Sequence, residues 1–202
     1  ELTSLVMKNN HFKFGDTAWL QLIGTAMGTP MACIYATIYF AWKEMSEVIP
    51  RFKDNLHLLC RFIDDIVGVW TPSGAETFDS FAKCLQIYGP GKLKWVVSNL
   101  MDKVIMLDLS LELKDGKVNT KTYQKSLNLY AYVPRHSAHP PGLLRALIIS
   151  QLSRYHRQCT KLADYEHFAH LLLKRLMKRG YGRKEIEPLF LEVAQRLDRD
   201  CE

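Results

Sequence analysis

The decapeptide RFIDDIVGVW places two adjacent carboxylates, those of Asp64 and Asp65, between two short apolar runs. Each run has the length and composition of a buried β-strand, and the predicted strands cover 56–63 and 66–70 with the aspartates in the turn between them. Tight turns commonly contain Asp, so capping of a hairpin is one explanation. Hairpins between such strands more often contain Asn-Gly or Asp-Gly, because two neighbouring carboxylates repel each other. The pair therefore also indicates a site for Mg²⁺, a hard cation that prefers oxygen ligands.

Hydrophobic periodicity predicts an α+β chain with an antiparallel sheet in its first two thirds. Hairpin turns are expected at 15–16 and 115–116, where Gly and Asp are adjacent. A buried helix is expected from Pro30 to about Glu47, since proline suits the first helical turn and apolar residues recur with helical spacing. The remaining expected elements are an amphipathic helix over 76–88 and strands near 95–100, 104–113 and 118–123.

The last third of the chain is predicted to be helical and strongly basic. The prolines of 134–142 mark a boundary, after which helices are expected over 141–159, 164–179 and 184–199. Between positions 134 and 184 there are eleven Lys and Arg residues but only two acidic residues. The cations recur at helical intervals, which would gather them into surfaces that suit phosphates. Nucleic acid is the favoured partner, although an anionic membrane surface fits the same pattern.

The cysteines and the hydropathy pattern exclude several classes of protein. Five widely spaced cysteines without a CxxC pair fit neither a disulfide framework nor a zinc site, which indicates a reducing, intracellular setting. The longest nearly uncharged stretch, 20–42, is interrupted by Gly24, Gly28 and Pro30, so no transmembrane helix is predicted. The first residues have neither a start methionine nor the order of a signal peptide, so we expect the inside of a longer protein.

Several segments together resemble a known family of enzymes. Phe62-Ile63-Asp64-Asp65 resembles the [FY]xDD motif of reverse transcriptases, and residues 21–32 are similar to their template-contact segment before a helix. The order of the segments resembles that in the reverse transcriptases of Penelope-like retroelements, which are relatives of telomerase. From Asn9 to Tyr181 these segments are NNHFKF, QLIGTAMGTPMA, RFIDDIVGVW, VIMLDLSLELKDGKVNTKTYQK, RHSAHPP, ISQLSRYHRQC and KRGY.

The resemblance implies an incomplete polymerase palm over 1–133, built on an antiparallel sheet with helices, and an all-helical thumb over 134–202. The fingers and the strand with the first metal-binding Asp would precede Gln21 and are missing. Asp64 and Asp65 would be the catalytic, metal-binding residues of a site that holds two Mg²⁺ ions in the complete enzyme. Such ions, about 3.5–4 Å apart, activate the attacking hydroxyl and stabilise the leaving group.

The resemblance also implies the substrates and the residues that contact them. The partners would be an RNA template, a DNA primer and deoxynucleoside triphosphates, and the location would be nuclear. Leu107 and Asp108 resemble a primer grip, although a plain sheet hairpin explains them equally well. The residues expected to contact template or nucleotide are Gly28, Thr29, Pro30 and Phe62. The residues expected to bind the duplex are Arg154, Arg157, Lys174, Arg175, Lys178 and Arg179.

Three hypotheses follow from these observations. The favoured one is a fragment of an RNA-directed DNA polymerase that is inactive without its upstream half. The second is a non-catalytic nucleic-acid-binding protein derived from such an element, in which the aspartates survive as remnants. The third is a decayed reading frame that folds poorly because its fingers are missing. An in-frame upstream strand carrying an Asp would favour the enzyme, and a stop codon there would favour the other two.

Overall fold

The computed structural model describes residues 2–72, 76–86 and 94–199. Contacts divide the chain into two compact units, Glu1–Leu100 and Met101–Glu202. Each unit combines helices with antiparallel strands, so the predicted α+β class is confirmed.

The first unit contains two hairpins and one long helix that changes its winding before it ends. Within the described residues, β1 pairs with β2 and β3 pairs with β4. In chain order the elements are α1 (Leu2–Lys8), β1 (His11–Phe14), β2 (Thr17–Leu20), α2 (Pro30–Lys43), a π-helical segment (Glu44–Val48), α3 (Ile49–Phe52), β3 (Leu56–Phe62), β4 (Asp65–Trp70) and α4 (Phe78–Gln86).

The hairpin predicted around 15–16 is confirmed, and β1 and β2 are antiparallel. Phe14 pairs with Thr17 across a two-residue turn in which Gly15 has a φ of 60°. Every residue of both strands is exposed. A two-stranded ribbon that is open on both faces is marginally stable, because large side chains such as Trp19 have little to pack against.

The helix predicted from Pro30 to about Glu47 is present as α2, the π-helical segment and α3, which follow one another without a break. Thr29 is extended and Pro30 lies in the first turn, as the sequence indicates. The prediction that this helix is buried is wrong, because in α2, which is described throughout, no residue is buried. Its apolar residues surround the helix, and Ile38 and Trp42 are 63% and 67% exposed.

The π-helical segment is explained by Pro50, which lies two residues after its end. Pro50 has no N–H to donate to the carbonyl of Ser46, and its ring would collide with that carbonyl in a regular α-helix. The helix is wider here, and the N–H of Ile49 bonds to the carbonyl of Glu44, five residues earlier. Glu44 lies on the inner side of this wider turn and is only 8% exposed.

Aromatic packing forms the core of the first unit. Phe52 and Phe81 meet edge to face with ring centroids 5.3 Å apart, and Trp70 packs against both rings. Such pairs stabilise a core beyond the area that they bury. The core therefore joins the end of the long helix to β4 and α4. Its buried residues are Val48, Phe52, Phe81, Cys84 and Leu85.

The hairpin predicted at RFIDDIVGVW is confirmed, since β3 and β4 are antiparallel. The turn consists of Ile63 and Asp64, so Asp65 is the first residue of β4 and not a turn residue. A Cβ at Gly68 would lie 2.9 Å from the carbonyl oxygen of Leu58. Glycine at this position is what permits the close approach of the two strands.

One predicted strand is absent and one predicted helix is only partly described. No strand is present over 94–100, which are all described, so the prediction of a strand near 95–100 is wrong. The backbone N–H and carbonyl of Trp95 instead bond to the side-chain amide of Gln86, which replaces a strand ladder as their partner. The helix predicted over 76–88 is present as α4, and its predicted part beyond Gln86 lies outside the described residues.

The second unit combines a three-stranded sheet with helices. Its elements are β5 (Lys103–Met106), β6 (Leu109–Lys114), β7 (Lys117–Thr122), α5 (Leu143–Gln158), α6 (Leu162–Lys178) and α7 (Arg183–Arg199). The three helices predicted after the proline-rich boundary are confirmed. The sheet belongs to the same compact unit as these helices. The division of the chain into 1–133 and 134–202 concerns function and stays a prediction.

A two-residue turn at Leu107 and Asp108 divides the strand expected over 104–113 into β5 and β6. The strand pattern alone predicts one continuous strand here, whereas the resemblance to a primer grip and the plain-hairpin alternative both predict a hairpin, which is present. This turn lacks the Gly or Asn that usually signals a hairpin, which is why strand propensity alone was misleading. The turn predicted at 115–116 is confirmed, and both Asp115 and Gly116 have positive φ.

The three helices of the second unit share one apolar core. Ile148 and Leu152 on α5 face Leu172 and Leu176 on α6, each pair being one helical turn apart. These four side chains are at most 1% exposed, and Ile186 of α7 completes the group. Among the described helices, none is long and apolar enough to cross a bilayer.

Prediction from the fold. The Arg61 guanidinium and the Glu44 carboxylate form an ion pair in which both side chains are nearly buried. We expect Arg61→Met to lower the free energy of unfolding of the first unit by about 3 kcal/mol, because Glu44 is left as an unpaired buried charge. All four tryptophans lie before residue 100. Tryptophan fluorescence during urea unfolding of the whole chain therefore measures this unit.

The controls separate loss of the pair from loss of a cation. The double variant Arg61→Met with Glu44→Met should recover much of the lost stability, since no buried charge is left without a partner. Arg51→Met removes an exposed ion pair with Glu76 in the same unit and should change the midpoint little. An Arg61→Met midpoint equal to that of the parent would contradict the assignment.

Candidate functional site

The turn that presents the two aspartates has an unusual backbone. Ile63, its first residue, has a φ of 53°, whereas its second residue, Asp64, is outside the left-handed region. This is the pattern of a type II′ turn, whose first position normally holds glycine. A β-branched residue at positive φ costs on the order of 1–3 kcal/mol and persists only where surrounding contacts enforce it. Such strain concentrates at functional sites.

Both carboxylates at this turn point into solvent. Asp64 and Asp65 are exposed, and neither side-chain carboxylate forms a hydrogen bond or an ion pair with any residue that the structure describes. Phe62, which precedes the turn, is 56% exposed. The arrangement leaves the oxygen atoms of both carboxylates available to a ligand. Two acidic residues adjacent in the chain, with no cation paired to either carboxylate among the described residues, favour a counter-cation.

One arginine fixes the hairpin to the long helix. Arg61 donates from Nε to the Glu44 carboxylate at 2.5 Å and from Nη2 to the carbonyl of Thr37 at 3.2 Å. Its Nη1 reaches the carbonyl of Ile63 in the turn at 3.4 Å, and its guanidinium lies 5.0 Å from the ring centroid of Phe40. Arg61 therefore enforces the turn conformation and sets the position of the aspartates relative to α2.

The segment predicted to contact template and nucleotide forms a tight turn before α2. Gly28 has a φ of 91°, and a Cβ built on it would have no atom within 4 Å. Glycine is needed here for its backbone conformation, and the space beside it is open. The Thr29 hydroxyl donates to the carbonyl of Ala26, and Pro30 begins the helix. The described residues show no hydrogen bond between this turn and either aspartate.

The described residues do not form a complete metal site. Among 2–72, 76–86 and 94–199, no three His, Cys, Asp or Glu side chains lie close enough together to hold a metal ion. Asp64 and Asp65 supply hard oxygen ligands without other partners, which fits part of a Mg²⁺ donor set. Two ions would need at least one further carboxylate.

The predicted primer-grip residue Asp108 links the sheet to α5. Its carboxylate accepts hydrogen bonds from Arg154 and, at 2.6 Å, from Nε2 of Gln158. Burial raises the pKa of Asp108, but the hydrogen bonds from Arg154 and Gln158 outweigh it and leave this pKa below its ordinary value. Leu107 beside it has a φ of 54°, so this turn has the same backbone pattern as the turn at Ile63.

The six cations predicted to bind the duplex fall into two groups. Arg154, Arg175 and Arg179 have partners inside the second unit. Arg154 pairs with Asp108, Arg175 donates to Gln124 and stacks over Tyr130, and Arg179 donates to the carbonyl of Tyr132. Arg157, Lys174 and Lys178 are exposed and form no ion pair with the described residues, and the hydrogen bond of Arg157 is an exposed one to the carbonyl of Ser153 in its own helix. The second group is the one available to phosphates.

Sequence reasoning missed the residues that hold these sites in place. Arg61 and Glu44 are 17 positions apart, and a charge at the edge of an apolar strand gave only a weak signal. Tyr130 and Arg175 are 45 positions apart, and their stacking at 4.0 Å depends on the path of the segment before α5. Only contacts between elements reveal such pairs.

Comparisons with known proteins give one finding. Residues 131–190 match the sequence model of a family described as the animal helix-turn-helix domain. The match covers α5 and α6 and ends within α7, which is less than a third of the chain. Neither a curated protein nor a solved structure matches the chain.

Prediction from the Asp108 contacts. Because the folded-state pKa of Asp108 is lowered, its ionisation stabilises the second unit above the unfolded-state pKa, and this stabilisation disappears as pH falls through the folded-state pKa. Asp108→Asn should therefore unfold earlier than the parent at pH 7, and the two should converge at about pH 3 or below. A third of the side chain is exposed, so solvent screening limits the difference to roughly 0.5–1 kcal/mol.

Helical circular dichroism during urea unfolding at several pH values measures this difference. Asp115→Asn is the matched control, because Asp115 lies at the tip of the next hairpin and pairs with no described cation. The control should follow the parent throughout. A constant offset between Asp108→Asn and the parent from pH 7 to pH 3 would contradict the prediction.

Proposed function

We propose that this chain is the second part of a reverse transcriptase, with Asp64 and Asp65 as its catalytic carboxylates and its helical region as the duplex-binding thumb. The observation that carries the proposal is the strained turn at Ile63, which presents two unpartnered carboxylates at the end of a hairpin. The [FY]xDD motif predicted from the sequence lies at this turn. The proposed substrates are an RNA template, a DNA primer and deoxynucleoside triphosphates.

A comparison within the chain supports a role beyond turn formation. The turns at Ile63 and Leu107 have the same backbone pattern, and each has Asp as its second residue. The Asp108 carboxylate is engaged by two side chains of α5, as expected for an aspartate that stabilises the fold. Asp64 has no such partner among the described residues. An exposed aspartate that follows a strained turn residue, is adjacent to a second aspartate and has no side-chain partner among the described residues is better explained by a ligand than by packing.

The residues of the chain would have distinct tasks in this mechanism. Bound Mg²⁺ would supply activation of the primer hydroxyl and stabilisation of the leaving group. The carboxylates of Asp64 and Asp65 would be ligands of the Mg²⁺ ions, and a carboxylate from upstream of this chain would complete the set of ligands. Arg61 would act as a positioning residue that fixes the turn through Glu44 and the carbonyl of Thr37. Gly28 would leave room for a template base or nucleotide beside the turn before α2.

The helix-turn-helix match supports the nucleic-acid part of the proposal. Helices in such domains bind DNA by entering a groove and contacting phosphates. The matched segment contains Arg157, Lys174 and Lys178, the three of the six predicted duplex-binding cations that are available to phosphates. Contacts of this kind are mostly to the backbone and carry little sequence information. This fits a thumb that must follow any template.

Prediction for catalysis. Residues 1–202 alone should not extend a primer, because positioning of charge supplies most of the catalysis in phosphoryl transfer. A longer chain with the upstream palm strand should show Mg²⁺-dependent extension on an RNA template. Asp64→Asn should then lower the rate by a factor on the order of 10³ or more. Gel analysis of primer extension provides the measurement.

Asp115→Asn is the control for this experiment, since it makes the same chemical change at an exposed turn in the second unit. It should retain the parent rate. Extension by residues 1–202 alone, or full activity of Asp64→Asn in the longer chain, would falsify the assignment of the site.

A second candidate is a nucleic-acid-binding protein without catalysis. It is favoured by the helix-turn-helix match and by the lack of a third acidic ligand near Asp64 among the described residues. In this case binding would be present in every form of the protein, and extension would be absent even with the upstream strand. The two candidates share the duplex-binding surface and differ only in the extension experiment.

Prediction for duplex binding. The triple variant Arg157→Ala, Lys174→Ala and Lys178→Ala should bind DNA and hybrid duplexes more weakly, whatever their sequence. Each lost phosphate contact lowers the magnitude of the slope of log K against log[salt] by about 0.9 on B-form DNA, so a decrease of about 2–3 is expected. Fluorescence anisotropy over a salt series gives this slope.

The matched control is the triple variant Lys114→Ala, Lys117→Ala and Lys125→Ala, which removes three exposed cations from elsewhere in the same unit. Its slope should stay close to that of the parent. Arg175 and Arg179 are left unchanged because their internal partners would confuse loss of binding with loss of folding. Equal slopes for the two triple variants would show that the three cations are only a solvated surface.

A further inference from the structure

A polar groove lies between the sheet and the beginning of α6. Its volume is about 250 Å³, smaller than the ~300–1,000 Å³ sites that enclose whole drug-sized ligands. The register places Ser110 opposite Lys121 and Glu112 opposite Asn119, so these four side chains form a block on one face of the sheet. The beginning of α6 contributes Lys161 and Asp164 to the opposite wall.

The most buried residue of this groove is Ser110. Ser110 is only 6% exposed, and no described residue forms a hydrogen bond with its Oγ. This Oγ is open to the groove and is not sealed from solvent. A group that enters the groove can therefore exchange a hydrogen bond with the Ser110 hydroxyl.

The groove offers two positive features to a phosphate. Lys161 occupies the N-cap of α6 in extended conformation, and its side chain makes no capping hydrogen bond in the described structure. The first N–H groups of a helix lack intrahelical partners and carry partial positive charge, which favours an anion there. Lys121 is held only loosely by Asp164, at 3.8 Å in a partly exposed pair. A partly exposed ion pair of this kind contributes little to stability, so the Lys121 ammonium can leave Asp164 and bind a phosphate.

The groove also contains groups that a bare phosphate would not favour. Glu112 and Asp164 are acidic, and Asn119 offers both a donor and an acceptor. Carboxylates accept hydrogen bonds from hydroxyls but repel an anion. The mixed lining therefore matches a ligand that carries a phosphate and a hydroxyl group side by side. A ribose–phosphate unit has this chemistry, and its 2′-hydroxyl distinguishes RNA from DNA.

We propose that this groove binds one ribose–phosphate unit of an RNA strand, with the phosphate near Lys121, Lys161 and the beginning of α6. The 2′-hydroxyl donates to Glu112 or Asn119, and Ser110 provides a further hydrogen bond at the base of the groove. The inference rests on the proposed nucleic-acid-binding function and adds a contact that selects an RNA strand.

The test compares two hybrids of the same sequence by fluorescence anisotropy with the whole chain. One contains an RNA strand, and the other contains a 2′-O-methyl RNA strand, which keeps the A-form but removes the hydroxyl donor. The parent should bind the methylated hybrid roughly fivefold more weakly, the effect of about one hydrogen bond. This comparison needs no variant, so it cannot fail through misfolding.

The variant arm keeps the net charge constant. Glu112→Ala with Lys121→Ala should lose the sensitivity to methylation and bind the RNA hybrid about tenfold more weakly, because one charge-assisted phosphate contact is removed. The matched control, Asp115→Asn with Lys117→Ala, removes one acid and one cation at the other end of the same two strands. The control should keep both the affinity and the sensitivity of the parent.

The possible failures can be told apart. If the parent binds both hybrids equally, or the groove variant keeps the sensitivity to methylation, the groove does not bind the RNA strand and the proposed function is unaffected. If the parent binds neither hybrid, the proposed nucleic-acid-binding function is wrong, and the inference about the groove falls with it.

Discussion

The ion pair between Arg61 and Glu44 is the constraint on which the first unit depends. Both side chains are nearly buried, so each charge is tolerable only because the other is present. Glu44 begins the wider helical turn that precedes Pro50, and its carboxylate pairs there with Arg61. From there Arg61 reaches the backbone of the turn at Ile63. A proline, a wide helical turn and a buried ion pair thus determine the orientation of the catalytic candidates.

The turns at Ile63 and Leu107 have the same backbone pattern, but their aspartates have different surroundings. Both place a bulky residue, Ile63 or Leu107, where glycine is usual, and both continue with Asp. At Leu107 the strain is offset by hydrogen bonds from α5 to the Asp108 carboxylate, so the turn secures the sheet to the helices. At Ile63 the anchoring comes from Arg61 behind the turn, which leaves the Asp64 carboxylate exposed. The same backbone pattern therefore connects the sheet to the helices in the second unit and exposes a carboxylate in the first unit.

The basic character of the second unit is less uniform than its composition indicates. Arginines with internal partners stabilise this unit, since Arg154 links α5 to the turn between β5 and β6 and Arg175 links α6 to the segment that follows the sheet. Of the six cations predicted to bind the duplex, Arg157, Lys174 and Lys178 remain available, and they lie on helices within the segment matched by the helix-turn-helix family. Removal of an arginine such as Arg175 would disturb packing as well as charge, whereas Lys174 is a solvated charge. The exposure of the individual cations, and not the net charge of the unit, therefore decides which residues can bind a duplex.

The sequence by itself determined the elements whose signals are local. The turns at 15–16 and 115–116, the hairpin of RFIDDIVGVW and the three C-terminal helices follow from turn residues and hydrophobic period, and each is present. Tertiary contacts decided the rest. The turn at Leu107 and Asp108 contains neither Gly nor Asn, and it is held by contacts that Asp108 makes with residues 46 and 50 positions away. The role of Arg61 could not be predicted from the sequence either, because it depends on the buried partner Glu44, which lies on another element. Propensity acts within a few residues, whereas burial and charge pairing depend on which distant segments meet.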